Sequence, residues 1–181
     1  CLKQVGDELL FIDQTGRVKK YPPLMVDEQL VDYELGSIVE RLSDTVYTIS
    51  YGQSVLETYE LTAFGSFRLA MIAYLEEDLT LGIRYDQRRK TLDGVQTYGL
   101  SHLILKKQDQ ILIQIEALYQ HNHIAKLVEK NQEGEDRVLA QYDYDKFGNL
   151  TRAIDEDGHQ REYQYNGEFH QLTRYTDRTG R

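Results

Sequence analysis

An all-β fold of antiparallel hairpins is predicted by three features of this sequence. Short runs of β-branched and aromatic residues recur from one end to the other, turn-forming Gly, Asp and Asn punctuate them about every 11 residues, and the C-terminal stretch contains an internal repeat. Fourteen tyrosines against no tryptophan suit sheet surfaces, where a ring packs on its neighbours while its hydroxyl reaches water or a carbonyl.

In chain order, the first expected strands are Glu8–Ile12, Arg17–Tyr21, Ser37–Leu42, Val46–Tyr51, Ser54–Thr62 and Ser66–Tyr74. Val46–Tyr51 illustrates the reason: a helix would restrict the rotamers of its β-branched and aromatic side chains, and a strand does not. Met25–Leu35 shows no clear apolar period and reads as loop or turn. Leu79–Tyr85, Ser101–Lys106, Ile111–Leu118 and His123–Lys130 continue the series. The run Ile111–Ile115 is the most apolar of these and is expected on the inner face of a sheet, although helix propensity across Gln110–Tyr119 is also high. Val138, Leu139 and Ala140 lead into the repeat.

The first copy of the repeat contains Tyr142, Tyr144, Asp145, Gly148, Asn149 and Leu150, followed by Asp155 and Gly158; the second contains Tyr163, Tyr165, Asn166 and Leu172, followed by Asp177 and Gly180. Tyr144 and Tyr165 are 21 positions apart, whereas Asp155 and Asp177, like Gly158 and Gly180, are 22 apart. Gln141–Tyr144 and Glu162–Tyr165 alternate polar residues with tyrosines, which puts both rings of each pair on one face of a strand. Lys146–Asn149 and Glu156–His159 are turn clusters, flanked by the strand-like Leu150–Ile154 and Gln160–Tyr163. One unit is therefore two strands and two turns. A unit of that size cannot bury its apolar face alone, so neighbours must stack.

These residues resemble the YD repeat of the Rhs protein family, shared with the BC subunits of Tc toxins and with teneurins. The similarity is specific over residues 139–181. Upstream it continues in degraded form: Phe11, Asp13, Gly16 and Arg17 copy the turn of Asp177–Arg181, Tyr85 and Asp86 copy the Tyr-Asp step, and Tyr47 and Tyr59 sit in strand-like contexts. The domain organisation expected is one continuous β domain, with residues 1–138 the degenerate opening region of a repeat shell and residues 139–181 its clean repeats. The resemblance implies a curved, spiralling sheet around a hollow interior. It also implies that the complete protein encloses a toxic C-terminal effector domain for delivery to other cells, and that it is made in the bacterial cytoplasm. The partners implied are the remainder of the shell, its enclosed toxin and a secretion apparatus. In the family, self-cleaving aspartates and the toxic enzyme lie beyond the last repeat. A chain beginning at Cys1 without Met and stopping at Gly180 and Arg181 is expected to be a piece of a longer protein.

The net charge of −9 and pI near 5.0 argue against non-specific binding to nucleic acid or anionic lipid, both of which need a surplus of Lys and Arg. Lys19 and Lys20, and Arg88, Arg89 and Lys90, read as solvated loop or edge-strand charges. A single cysteine excludes an internal disulfide framework. No apolar run approaches the roughly 20 residues needed for a membrane-spanning helix.

Little catalytic chemistry is legible. There is no nucleophile elbow, no cysteine with a plausible partner and no glycine-rich phosphate loop, so no enzyme and no cofactor are expected. His121 and His123 would share a strand face, but His102, His159 and His170 are scattered and no further ligand is apparent, so no metal site is assigned and His121 is expected in a turn. Asp143, Asp145, Asp155 and Asp157 resemble the oxygen-rich spacing of calcium loops without its glycine and terminal glutamate in register. Asp145 and Asp155 are better read as turn staples, with Gly148 and Gly158 behind them at positive backbone dihedrals. A rival reading from the class of binding modules is that the tyrosine surface holds carbohydrate or a cell-surface receptor. Exposure of Tyr142, Tyr144, Tyr163 and Tyr165 discriminates the two. Sheet edges in a partial shell are expected to promote self-association.

Overall fold

The computed structural model describes residues 2–6, 8–13, 15–62, 65–86, 99–131 and 134–180. Arg88, Arg89 and Lys90, like Cys1 and Arg181, lie outside the described residues. The fold is all-β and antiparallel. Its strands are β1 (Leu2–Val5), β2 (Glu8–Ile12), β3 (Val18–Tyr21), β4 (Gln29–Asp32), β5 (Ser37–Ser43), β6 (Val46–Tyr51), β7 (Val55–Leu61) and β8 (Ser66–Tyr74). They continue with β9 (Leu79–Asp86), β10 (Gly99–Lys107), β11 (Gln110–Gln120), β12 (His123–Glu129), β13 (Arg137–Tyr144), β14 (Leu150–Asp155), β15 (Gln160–Tyr165) and β16 (Leu172–Thr176). The chain divides into two compact units, Cys1–Ile83 with Ile104–Leu112, and Arg84–Leu103 with Ile113–Arg181.

In the first unit, β4 to β9 form a meander in which each strand pairs with the next. A second meander of β1, β2 and β3 joins it where Leu2 and Lys3 pair with Phe67 and Ser66 of β8. Alternation along the strands puts one residue in two inward, so Leu9 and Phe11 of β2 are buried, as are Tyr47 and Ile49 of β6. They form one core with Leu2, Tyr21, Leu24, Val39, Tyr59 and Phe67. Aromatic rings meet edge to face within it, Tyr47 on Phe67 at 4.9 Å and Phe11 on Tyr59 at 6.3 Å, the arrangement the ring quadrupole favours.

One polar cluster is buried beside this core. The Asp32 carboxylate, at the end of β4, accepts hydrogen bonds from Lys19 Nζ at 2.7 and 2.9 Å and from Tyr21 Oη at 2.8 Å. It also accepts the backbone N–H groups of Glu34 at 2.9 Å and Leu35 at 3.0 Å. Burial pushes the carboxyl up, but the Lys19 ammonium and the surrounding donors outweigh it and hold the group at about 2. This strand corrects the expectation of a loop over Met25–Leu35. Its buried residue is Asp32, while Gln29 and Val31 face solvent, so an apolar periodicity could not reveal it.

In the second unit, β11 to β16 pair strictly with their neighbours in sequence. Among its described residues, the buried ones are Ala117, Tyr119, Ala125 and Val128 with polar Ser101 and Asn149, and most of these are small. The inner-face expectation for Ile111–Ile115 is corrected: Ile111, Leu112 and Ile113 are exposed. The register explains this, because β12 begins to pair with β11 only at Ile115 and leaves the preceding residues without that neighbour. His121 and Asn122 form the two-residue turn between β11 and β12, both at positive φ of 47° and 70°, which is the type I′ pattern.

The Asp32 cluster dictates an acid response. Its carboxyl is held below its unfolded value of roughly 4, so its contribution to stability is complete above that pH and is lost as pH falls towards about 2. Urea titrations from pH 7 to pH 2 should show this loss. Asp32→Asn should be less stable at pH 7 and show a smaller further loss across the acid window.

Candidate functional site

Three turns of the second unit, at Asp145, Asp155 and Asp177, share one pattern of hydrogen bonds. At Asp145 the turn closes with Gly148 N–H donating to Asp145 O at 3.0 Å and Asp145 N–H to Asn149 O at 3.0 Å. The side chain completes it: Asp145 Oδ1 accepts the N–H groups of Phe147 and Asn149, each at 2.9 Å. At Asp155 the same bonds recur from Gly158, Asp157 and His159. Asp177 repeats the pattern with Gly180 and Thr179, and Asp13 with Gly16, Thr15 and Arg17. Gly16, Gly148, Gly158 and Gly180 have φ of 82° or 83°, a left-handed conformation in which a Cβ is strained. The side-chain hydrogen bond from Asn149 holds the Asp145 carboxyl below the ordinary range; at Asp155 burial pushes up, and the backbone donors of His159 and Asp157 together with the His159 ring outweigh it.

A further copy was not legible. Thr62 N–H donates to Ser66 O at 2.8 Å and Gly65 N–H to Thr62 O at 3.1 Å, so the turn survives with threonine where the repeat has aspartate. The second full repeat departs differently. Asn166 N–H donates to Gln171 O at 2.8 Å, five positions on rather than four. The extra residue winds into a 3-10 turn at Gly167–Phe169, in which Asn166 makes no side-chain capping bond. That insertion accounts for the tyrosines repeating at 21 and the following aspartates at 22.

The inserted turn links one repeat to the other. Asn149 is buried; its Nδ2 donates to Asp145 Oδ2 at 2.9 Å, and its Oδ1 lies 2.6 Å from His170 Nδ1. With the amide nitrogen committed as donor, Asn149 Oδ1 is an acceptor and His170 donates through Nδ1–H. Bulges match between the repeats as well. On β14 the ladder skips Thr151, and on β16 it skips Thr173. Each hydroxyl donates to a carbonyl on the preceding strand, Thr151 to Asp143 O and Thr173 to Gln164 O, both at 3.1 Å. The signal was present as Leu150-Thr151-Arg152 recurring in Leu172-Thr173-Arg174, with Tyr144 opposite Leu150 and Tyr165 opposite Leu172.

Tyr142, Tyr144, Tyr163 and Tyr165 are each half-buried. Tyr144 donates its hydroxyl to Ile124 O at 3.1 Å and stacks on His123 at 4.5 Å. Tyr163 lies opposite Tyr175, ring centres 5.4 Å apart. A cavity of about 760 Å³ beside Tyr142 and Tyr144 is also lined by His121, His123, Asp143 and Lys146. Among the described residues, Asp155, Asp157 and His159 bring potential ligand atoms within 4.8 Å of one another, but Asp155 Oδ1 already accepts the two turn N–H groups. Asp143 and Asp145 are not part of that group.

Residues 144–181 match the family model described as RHS Repeat. No curated protein matches the chain.

The repeated turn yields a paired test. Gly158→Ala meets no atom within 4 Å and should cost about 1–2 kcal/mol from its left-handed φ alone. Gly148→Ala carries the same φ penalty and also brings a Cβ to 3.0 Å from His123 Nε2. Chemical denaturation should therefore rank Gly148→Ala clearly below Gly158→Ala, and the His123–Tyr144 stack should report the displacement as shifted ring resonances.

Proposed function

We propose that this chain, whose residues 144–181 match the RHS Repeat family model, is a structural segment of a repeat shell. In this reading the complete protein encloses a toxic C-terminal effector domain and carries it to other cells, having been made in the bacterial cytoplasm. The observation that carries the proposal is the strictly sequential pairing of β11 to β16, with the same turn and the same threonine bulge returning at the repeat period. Such a chain extends hairpin by hairpin, and bulges bend and twist the strands they interrupt. A wall that curves around a cargo needs both properties.

The half-buried tyrosines favour this reading over a carbohydrate-binding surface. Two of the rings are engaged with neighbours, Tyr144 with His123 and Tyr163 with Tyr175, and all four repeat tyrosines are half-buried. The role proposed is therefore containment, with the remainder of the shell and its enclosed domain as partners.

An antibody raised against this chain should detect, in source cells, a polypeptide several times larger than 21.2 kDa, with a C-terminal portion resistant to added protease until the shell is denatured. A product of 21.2 kDa alone would remove the encapsulation mechanism.

Among the described residues, the outer edge of β16 has no strand beside it, and an unpaired row of backbone donors and acceptors is a template for another strand. Light scattering of this 181-residue chain should show a mass rising with concentration. A monodisperse monomer at high concentration would count against open-edge assembly.

A further inference from the structure

The first unit contains a cavity of about 560 Å³ that the repeat geometry does not explain. Its walls include the rings of Phe11, Tyr51 and Tyr59 and the aliphatic side chains of Leu69 and Ile72. Glu57 also lines it. This residue is out of pattern: on β7 it stands opposite Ile49 of β6 and Ile72 of β8, positions of the inward-facing set. A carboxylate among apolar neighbours is unfavourable unless it is held by donors or matched by a cation.

Donors are present, on one oxygen only. Tyr59 Oη donates to Glu57 Oε2 at 2.7 Å and Tyr51 Oη donates to the same atom at 3.3 Å. Burial, together with the neighbouring Glu57 carboxylate, pushes both phenols above their ordinary range, so they remain protonated donors. Among the described residues, Glu57 Oε1 accepts no hydrogen bond and Glu57 has no ion pair. Arg17, which also lines the cavity, is exposed and engaged with Asp13 at 2.9 Å. The pair is self-neutralising, which leaves the cavity with the net negative charge of Glu57.

We propose that this cavity binds an organic ammonium group carried on an apolar stem, the chemistry of a lysine side chain or of a free alkylamine. The ammonium donates to Glu57 Oε1 and is surrounded by the aromatic rings, whose faces attract cations. The stem lies against Leu69 and Ile72. The two tyrosine hydroxyls position the carboxylate and hold its other oxygen away from the ligand. An anion is opposed by Glu57, and a neutral ligand gains neither the charge-assisted bond nor the ring attraction. The volume falls within the roughly 300–1,000 Å³ of small-molecule sites.

Isothermal titration of the full chain with n-hexylammonium chloride and with n-hexanol, at pH 7 and low salt, tests the proposal. The ammonium should bind at least about tenfold more tightly than the alcohol, and Glu57→Gln should abolish that preference while leaving the far-ultraviolet circular dichroism unchanged. Nα-acetyl-lysine amide distinguishes the sources: binding comparable to hexylammonium points to a lysine of a polypeptide, and weaker binding points to a free amine. Equal affinities for hexylammonium and hexanol, or a Glu57→Gln protein that retains the preference, would overturn the proposal. Should that variant fail to fold, the unmutated chain decides: hexylammonium must shift the ring resonances of Tyr51 and Tyr59 ahead of those of the other tyrosines, and their failure to move would refute the site.

Discussion

A carboxylate that accepts the backbone N–H groups of the residues two and four places ahead of it holds this fold together. Asp13, Asp145 and Asp155 make both contacts, and Asp177 makes the first of them. Hydrogen bonds to a charged acceptor are roughly twice as strong as neutral ones, and these satisfy donors that the reversing chain would otherwise turn towards water. The turn ends in a glycine at left-handed φ because the chain must re-enter the ladder one residue out of phase. Each of these hairpins is thereby closed by hydrogen bonds spanning only a few residues.

Closing hairpins does not by itself join them. In the second unit that task falls to ladders between sequence neighbours and to polar cross-links at the turns, of which Asp145, Asn149 and His170 form the most developed. Threonine hydroxyls stabilise the bulges that bend the strands, at the same place in both repeats. The stabilisation is distributed along the chain, as expected where every unit meets only its neighbours. The first unit solves the problem differently. Two meanders enclose Tyr47, Ile49, Phe11 and their neighbours in a shared apolar core, and Asp32 secures its flank through a lysine, a tyrosine and two backbone donors.

The sheet presents two kinds of polar residue facing inward, and they differ in what completes them. Asp32 is matched by Lys19 within the chain. Glu57 is held by two tyrosines and by no cation among the described residues. Both break the alternation of apolar and polar residues, and in both the departure coincides with a specific set of donors rather than with a packing defect.

Strand identity was legible wherever one face of a strand is apolar. Val46–Tyr51 and Ser66–Tyr74 have in the structure the limits read from residue type alone. The turns were legible too, because aspartate and glycine at fixed spacing act through bonds spanning only a few residues. β1 and β4 escaped notice because each buries a single side chain, Leu2 in one and Asp32 in the other. The exposed Ile111 and Leu112 were misplaced because their surroundings depend on where β12 starts to pair. The extra residue after Asn166 was visible only as an unequal period, and its link to Asn149 needed His170 brought back across the turn. By itself the sequence determined the all-β class and the repeating turns, since those follow from backbone preferences and hydrogen bonds within a few residues. Tertiary structure alone decided register, the position of Glu57 inside a cavity and the pairing of Asn149 with His170, because these depend on contacts between segments whose separation along the chain encodes no distance in space.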